Sequence, residues 1–237
     1  MADIIYDTDG SVVRITLNRP DCLMSNDMAL ELASRLPGFA DKQLIVLRSA
    51  GADFVAGRKV PAFEGKPSAI DVRRVSTEPP LAVVGAVKAC KVPVLALVTG
   101  KCVGLGAALA AAADVTFAST DATFVLPEMH HGIPPCLAMS GLMHRVPTKT
   151  IAYMVYSCEP IDAVEAHRLG LVSKVLPLAD LEAAGEAFIK KVAGHKQTAM
   201  VATKTFLRAA PTLDAQAMAD LAGNLLSVVV SSHPSAH

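Results

Sequence analysis

The residues with the most chemical content lie in VTGKCVGLGAALA (98–110), where glycines separate an apolar run that reads as a strand from an alanine-rich run that reads as a helix. Two chemistries compete for such a loop. Thr99, Gly100, Gly104 and Gly106 match T-G-x-x-x-G-x-G, in which backbone N–H groups at a helix N-terminus hold a dinucleotide pyrophosphate. That pattern belongs at the start of a chain and comes with a Y-x-x-x-K pair. Here it begins near residue 99, and neither Tyr153 nor Tyr156 has a lysine four residues on. The other chemistry is stabilisation of a developing oxyanion by the exposed N–H groups of the loop. A second donor turn is available in FVAGR (54–58), just after the apolar run LIVLRSA (44–50). Cys102 and Ser25 are possible nucleophiles, but neither has an evident histidine and acid partner, and Cys102 reads as a small buried residue. Glu128 in LPEMHHG follows a proline, as helix-start carboxylates do. His130 and His131 follow it; adjacent residues face different directions, and without further ligands they make no metal site.

Positioning such groups requires an alternation of strands and helices. DIIYDTDGSVVRITL (3–17) shows β-branched alternation on both sides of Asp9-Gly10, the signature of an antiparallel hairpin. LIVLRSA and VPVLALVTG (92–100) are short continuous apolar runs, as expected of strands buried on both faces. Helical patterns fall at about 26–36 and 78–90, and AALAAAAD after Gly106 leads into a further strand, VTFAS. The class is therefore α/β. From about 147 the pattern turns helical: TKTIAYMVYS, DAVEAHRLG closed by Gly170, DLEAAGEAFIKKVAGH, QTAMVATKTFLRAA and LDAQAMADLAGNLLSVVV. The segment 58–80, rich in Pro, Gly and charge, reads as a mobile loop.

The 237 residues carry 22 Lys+Arg against 22 Asp+Glu, which removes the electrostatic case for nucleic acid or an anionic membrane surface. Only 19% of residues are charged, against about 25% in an average globular chain, so apolar surface is expected to be covered by other subunits. Pro93 to Ala113 is long and apolar, but Lys101, its glycines and Asp114 just beyond argue for strand, loop and buried helix instead of a membrane span. Five scattered cysteines with no C-x-x-C pair fit a reducing cytoplasm, and MADIIYDTDG has no secretory pattern.

The order of LNRP (17–20), FVAGR, KVPVLALVTG with GLGAAL, DVTFA (114–118), FVLPEMHHG (124–132) and EAHRLGLVSKVLP (165–177) resembles the crotonase superfamily of enoyl-CoA hydratases and isomerases, in one register over about 3–210. The resemblance implies a ClpP/crotonase-like spiral of β-β-α turns over residues 1–180, followed at 181–237 by a helical trimerisation region, and assembly as a homotrimer or homohexamer. It implies an acyl-CoA thioester as substrate and partner, with no cofactor beyond that coenzyme A. The thioester carbonyl is expected to accept hydrogen bonds from the backbone N–H groups of Arg58 and Leu105, which would stabilise an enolate. Cys22, Met24 and Ala56 carry over by position as CoA contacts, with Lys59 and Gly104 alongside them. Lys101, Lys59 and Lys204 are available for the nucleotide phosphates.

Hydratases of this superfamily use two glutamates; one matches Glu128, the other falls on Ala108, which carries no acid or base. A single carboxylate can take a proton from C2 and return it at C4, which is a double-bond shift, with hydration as the nearest alternative. His130 and His131 are further polar candidates for the acyl pocket. Ala108, Leu105 in place of a glycine, Lys59 and the ending SSHPSAH, where relatives carry one more helix, leave a diverged non-catalytic acyl-CoA-binding protein as the alternative reading.

Overall fold

The computed structural model describes residues 2–232; the last five residues of SSHPSAH lie outside it. The hairpin read around Asp9-Gly10 is present: β1 (Ile4–Asp9) pairs antiparallel with β2 (Val12–Leu17), and Gly10 turns the chain at φ 58°. Each following turn of the chain adds one strand to a main sheet and one short strand to a second layer. The strands are β3 (Leu23–Ser25), β4 (Leu44–Ser49), β5 (Gly57–Lys59), β6 (Val94–Val98), β7 (Lys101–Val103), β8 (Val115–Ser119), β9 (Thr123–Val125), β10 (Ile161–Asp162) and β11 (Lys174–Leu176). The main sheet runs β1-β2-β4-β6-β8-β11, parallel after the first pair. The second layer consists of β3 with β5 and of β10-β9-β7, and a bridge between Val55 and Cys102 ties its two parts together.

The helices are α1 (Asn26–Arg35), α2 (Ala69–Val72), α3 (Glu78–Ala89), α4 (Leu105–Ala112), α5 (Cys136–Leu142), α6 (Thr148–Ser157), α7 (Ala163–Arg168), α8 (Leu178–Ala193), α9 (Gln197–Ala209) and α10 (Ala215–Ser231). Local chemistry starts them: Ser25 Oγ accepts from Met28 N at 3.2 Å to cap α1, and Asp162 and Asp214 cap α7 and α10 in the same way. The continuous apolar runs in β4 and β6 are explained by burial on both faces. One face meets α1, α3 and α4 through residues such as Val13, Ile15, Leu47 and Val98. The other carries Val12, Val46, Leu95, Leu97 and Phe117 against Leu181, Ile189 and Val192 of α8 and Met200 of α9.

Two expectations require correction. The segment 58–80 is not a loop throughout, because from Ala69 it is helical: α2 passes through a π-helical turn (Arg73–Thr77) into α3. Ser68 and Asp71 form a reciprocal capping box, and Pro79 and Pro80 sit in the first turn of α3. The region after 147 is not helical throughout either, since β10 and β11 interrupt it and β11 extends the main sheet beside β8. Strands of two and three residues are too short to show an alternation. The apolar stretch Pro93 to Ala113 resolves into β6, β7 and α4, and among the described residues no helix is long and apolar enough to cross a membrane.

Candidate active site

The two glycine-containing turns meet because the second layer ties them together. Val55 N donates to the Lys101 carbonyl at 3.2 Å, and Val103 N donates to the Val55 carbonyl at 2.9 Å. The start of α4 then presses so closely on this strand that a Cβ on Gly106 would stand 2.5 Å from the Val55 oxygen. Gly104, just before α4, has φ 52° and ψ −102°, a conformation essentially reserved for glycine. It lets the chain turn while its N–H donates to the Val125 carbonyl at 2.9 Å. Leu105 opens the helix, and an N–H in that first turn has no intrahelical acceptor.

Between these turns lies a cavity of about 380 Å³. Arg58, Gly104, Leu105, Glu128 and His131 all line it, so five residues singled out in the sequence converge there. Glu128 begins a single 3₁₀ turn, Glu128–His131, which Gly132 closes in the left-handed conformation at φ 67°. The turn aims the carboxyl at the glycine loop: a Cβ on Gly104 would stand 2.5 Å from Glu128 Oε1. Oε2 is buried and has no hydrogen-bond partner in the structure. Burial pushes the Glu128 pKa above the usual carboxylate value, against the opposing pull of a backbone hydrogen bond, the Arg58 guanidinium and His131. A half-buried carboxyl with one oxygen unpartnered and its pKa raised, set in a cavity, is an arrangement suited to acid–base chemistry.

The sequence matches the family described as enoyl-CoA hydratase/isomerase over residues 7–234. The chain belongs to that family. It is 32% identical over 224 residues to the 2,3-dehydroadipyl-CoA hydratase of Escherichia coli, covering 92% of this chain and 86% of that one. It is 30% identical over 191 residues to the mitochondrial enoyl-CoA hydratase domain-containing protein 3 of Mus musculus, covering 76% of this chain and 62% of the mouse protein. The chain therefore spans less than two thirds of that relative's length. Among solved structures, the enoyl-CoA hydratase of Mycobacterium smegmatis superposes with a TM-score of 0.91 at 25% identity, covering 96% of this chain and 91% of that one. The β-β-α turns are the crotonase fold.

Within the family register, the position of the first hydratase glutamate is not merely empty of a carboxylate; it is closed. Ala108 is fully buried, and α5 seats Gly141 directly on it, so that a Cβ at Gly141 would fall 2.7 Å from both Ala108 Cα and Cβ. Leu137 and Ala138 of the same helix form part of the cavity wall. His131 lines the cavity and His130 does not.

Of the CoA candidates Gly104 lines the cavity, whereas Cys22, Met24, Ala56 and Lys59 are not part of its lining. Cys22 is buried at φ 53°, and its carbonyl accepts from Ala56 N at 2.9 Å; Met24 is buried beside it, and Lys59 is exposed. Lys101 is exposed, but Lys204 is not available to a phosphate: it is 5% exposed, with Nζ 2.7 Å from Asp114 Oδ2 and 2.9 Å from the Val92 carbonyl. Of the two possible nucleophiles, Cys102 is fully buried with its thiol pKa pushed far up by desolvation, and Ser25 is occupied as the α1 cap. Among the described residues no cluster of three or more metal-ligating side chains occurs.

Sequence reasoning missed Asn26. Arg58 Nη2 donates to Asn26 Oδ1 at 3.3 Å, and Asn26 Nδ2 donates to the Val75 carbonyl at 2.6 Å, which fixes the arginine against the π-helical turn. Nothing in the local sequence separates this residue from an ordinary first residue of α1. The contact joins segments 32 and 49 residues apart.

Proposed function

We propose that the chain is an acyl-CoA enzyme that stabilises a thioester enolate between the backbone N–H groups of Arg58 and Leu105, with Glu128 as its single acid–base group. The reaction is a double-bond shift in an enoyl-CoA, with hydration as the nearest alternative. The Glu128 carboxylate takes a proton from C2 of a 3-enoyl thioester, the electron pair moves onto the thioester oxygen as a dienolate, and the same carboxyl returns a proton at C4. Atoms and charge balance without water or an added cofactor. The observation that carries this reading is the Glu128 carboxyl, whose Oε2 is buried without a partner, taken with the closed Ala108 position. Syn hydration by two carboxylates would need a second group where α5 packs.

In the same reading, Cys22, Met24, Ala56, Lys59 and Gly104 flank the CoA thioester. Assembly is as a homotrimer or homohexamer, supported by exposed Tyr153, Tyr156, Leu226, Val228 and Val230. The cytoplasm is the compartment that five free cysteines support.

The test is incubation with a 2-enoyl-CoA and, separately, a 3-enoyl-CoA in deuterated water, read by mass spectrometry. The expected product is a shifted double bond without gain of water. In the Glu128→Gln variant thioester binding persists while turnover falls about 10²–10⁴-fold. Gain of one water from the 2-enoyl substrate would make hydration the reaction, and full activity in Glu128→Gln would remove the glutamate. Binding without turnover of either substrate would leave a diverged acyl-CoA-binding protein.

A further inference from the structure

Arg58 contributes more to the cavity than its backbone. Its guanidinium is half-buried in a cavity whose other lining is almost entirely apolar, including Val60, Pro80, Val103, Ile133 and Leu137. Glu128 and His131 are the other titratable side chains on that wall. Among the described residues no carboxylate lies within ion-pair distance of Arg58, and its one side-chain hydrogen bond goes to a neutral amide, that of Asn26. A guanidinium has five N–H donors, so most of its donor capacity is unused.

Partly desolvating a cation without a counter-charge is costly, and a protein that does so normally supplies an anion. Glu128 does not serve: it makes no ion pair with Arg58, burial holds it toward its neutral form, and the proposed reaction needs its proton to come and go. The guanidinium itself keeps its charge: burial lowers its pKa only from a starting value far above neutrality, and Glu128, too distant for an ion pair, pulls it partly back up. It is also held in place in advance by Asn26 and the Val75 carbonyl of the π-helical turn, as a recognition group is.

We propose that the Arg58 side chain is a specificity-determining residue that receives a carboxylate on the acyl portion of the substrate, so that the preferred substrates are CoA monothioesters of dicarboxylic acids. The inference rests on reading the cavity as the acyl site. A bidentate arginine–carboxylate pair in a poorly solvated wall discriminates more strongly than a methylene contact does.

Binding of saturated thioesters, which need no turnover, separates this inference from the proposed reaction. Glutaryl-CoA and adipyl-CoA are compared with pentanoyl-CoA and hexanoyl-CoA by isothermal titration calorimetry on the wild-type protein and on Arg58→Met and Arg58→Lys. The wild type is expected to bind at least one diacid thioester about 10- to 150-fold tighter than the neutral thioester of equal carbon count. Arg58→Met should bring the two within about twofold, and Arg58→Lys, which keeps the charge without the fork, should retain part of the preference. Equal affinities in the wild type overturn the inference without reference to any variant. A preference that survives Arg58→Met overturns it as well, as does a loss in that variant that is the same for both ligand types, which would put the guanidinium on the shared CoA. Failure to bind any of the four overturns both readings. A clear diacid preference without turnover of any enoyl-CoA leaves the inference standing and removes the proposed reaction.

Discussion

Replacing Ala108 with Glu would restore, on paper, the second carboxylate of a two-glutamate hydratase. The structure predicts that it instead breaks the fold locally. Ala108 is fully buried, and the seat of α5 leaves no room beyond its methyl group, since even a Cβ on Gly141 would approach Ala108 to 2.7 Å. Forcing in the further heavy atoms of a glutamate side chain overpacks the α4–α5 contact at a cost of about 1–3 kcal/mol. An unpaired carboxylate held there adds about 3–5 kcal/mol at neutral pH. The total of about 4–8 kcal/mol is comparable with the whole stability of a typical domain.

The chain has no tryptophan, so far-ultraviolet circular dichroism in urea is the suitable assay. Ala108→Gln serves as the neutral control, and its deficit should be nearly independent of pH. The additional deficit of Ala108→Glu should shrink toward that of the control below about pH 4, where the carboxyl takes up its proton. Water addition to a 2-enoyl-CoA should not rise in either variant. A variant Ala108→Glu within about 1 kcal/mol of wild type that also hydrates faster would refute the reasoning, because α5 would then have moved aside.

Further outcomes follow from other contacts. Gly104→Ala should lower turnover about 10²-fold or more with only about 1–3 kcal/mol lost in urea denaturation, because Gly104 sits at φ 52° and the new methyl would displace the Glu128 carboxyl. Because burial raises the Glu128 pKa, the native state holds that proton to higher pH than the unfolded chain, and stability falls as pH rises above the ordinary carboxylate value. Glu128→Gln should therefore gain stability relative to wild type as pH rises above about 4, and parallel melting-temperature profiles would contradict the assigned direction. Lys204→Met should cost about 3–5 kcal/mol by leaving Asp114 uncompensated, whereas adding Asp114→Asn should recover part of that loss, as a double-mutant cycle in urea would measure.

The hairpin β1–β2 and the strands β4 and β6 are legible because alternation or an unbroken apolar run marks them over five or six residues. The three-residue strands β3, β5, β7 and β9 carry no such period, yet they bring Arg58 and Leu105 to one cavity. Glu128 and Ala108 follow from the family register, but the closure of Ala108 depends on Gly141, which lies in a stretch with no element assigned from sequence. Lys204 reads as a solvated cation because its partner Asp114 lies 90 residues earlier. The direction of the Arg58 side chain and its tether through Asn26 are tertiary facts with no local signal.

The position of β11 bears on the order in which the chain can be completed. Lys174 to Leu176 cover the outer edge of β8, pairing with Phe117, Ala118 and Ser119 across a gap of 57 residues. As the chain emerges from the ribosome, β2, β4, β6 and β8 can assemble while that edge still presents unpaired N–H and C=O groups beside buried apolar side chains. An edge of that kind templates strand addition from another nascent chain. Truncation or slow translation between residues 119 and 174 should therefore promote aggregation through β8 well before the cavity beside Arg58 and Glu128 is at issue.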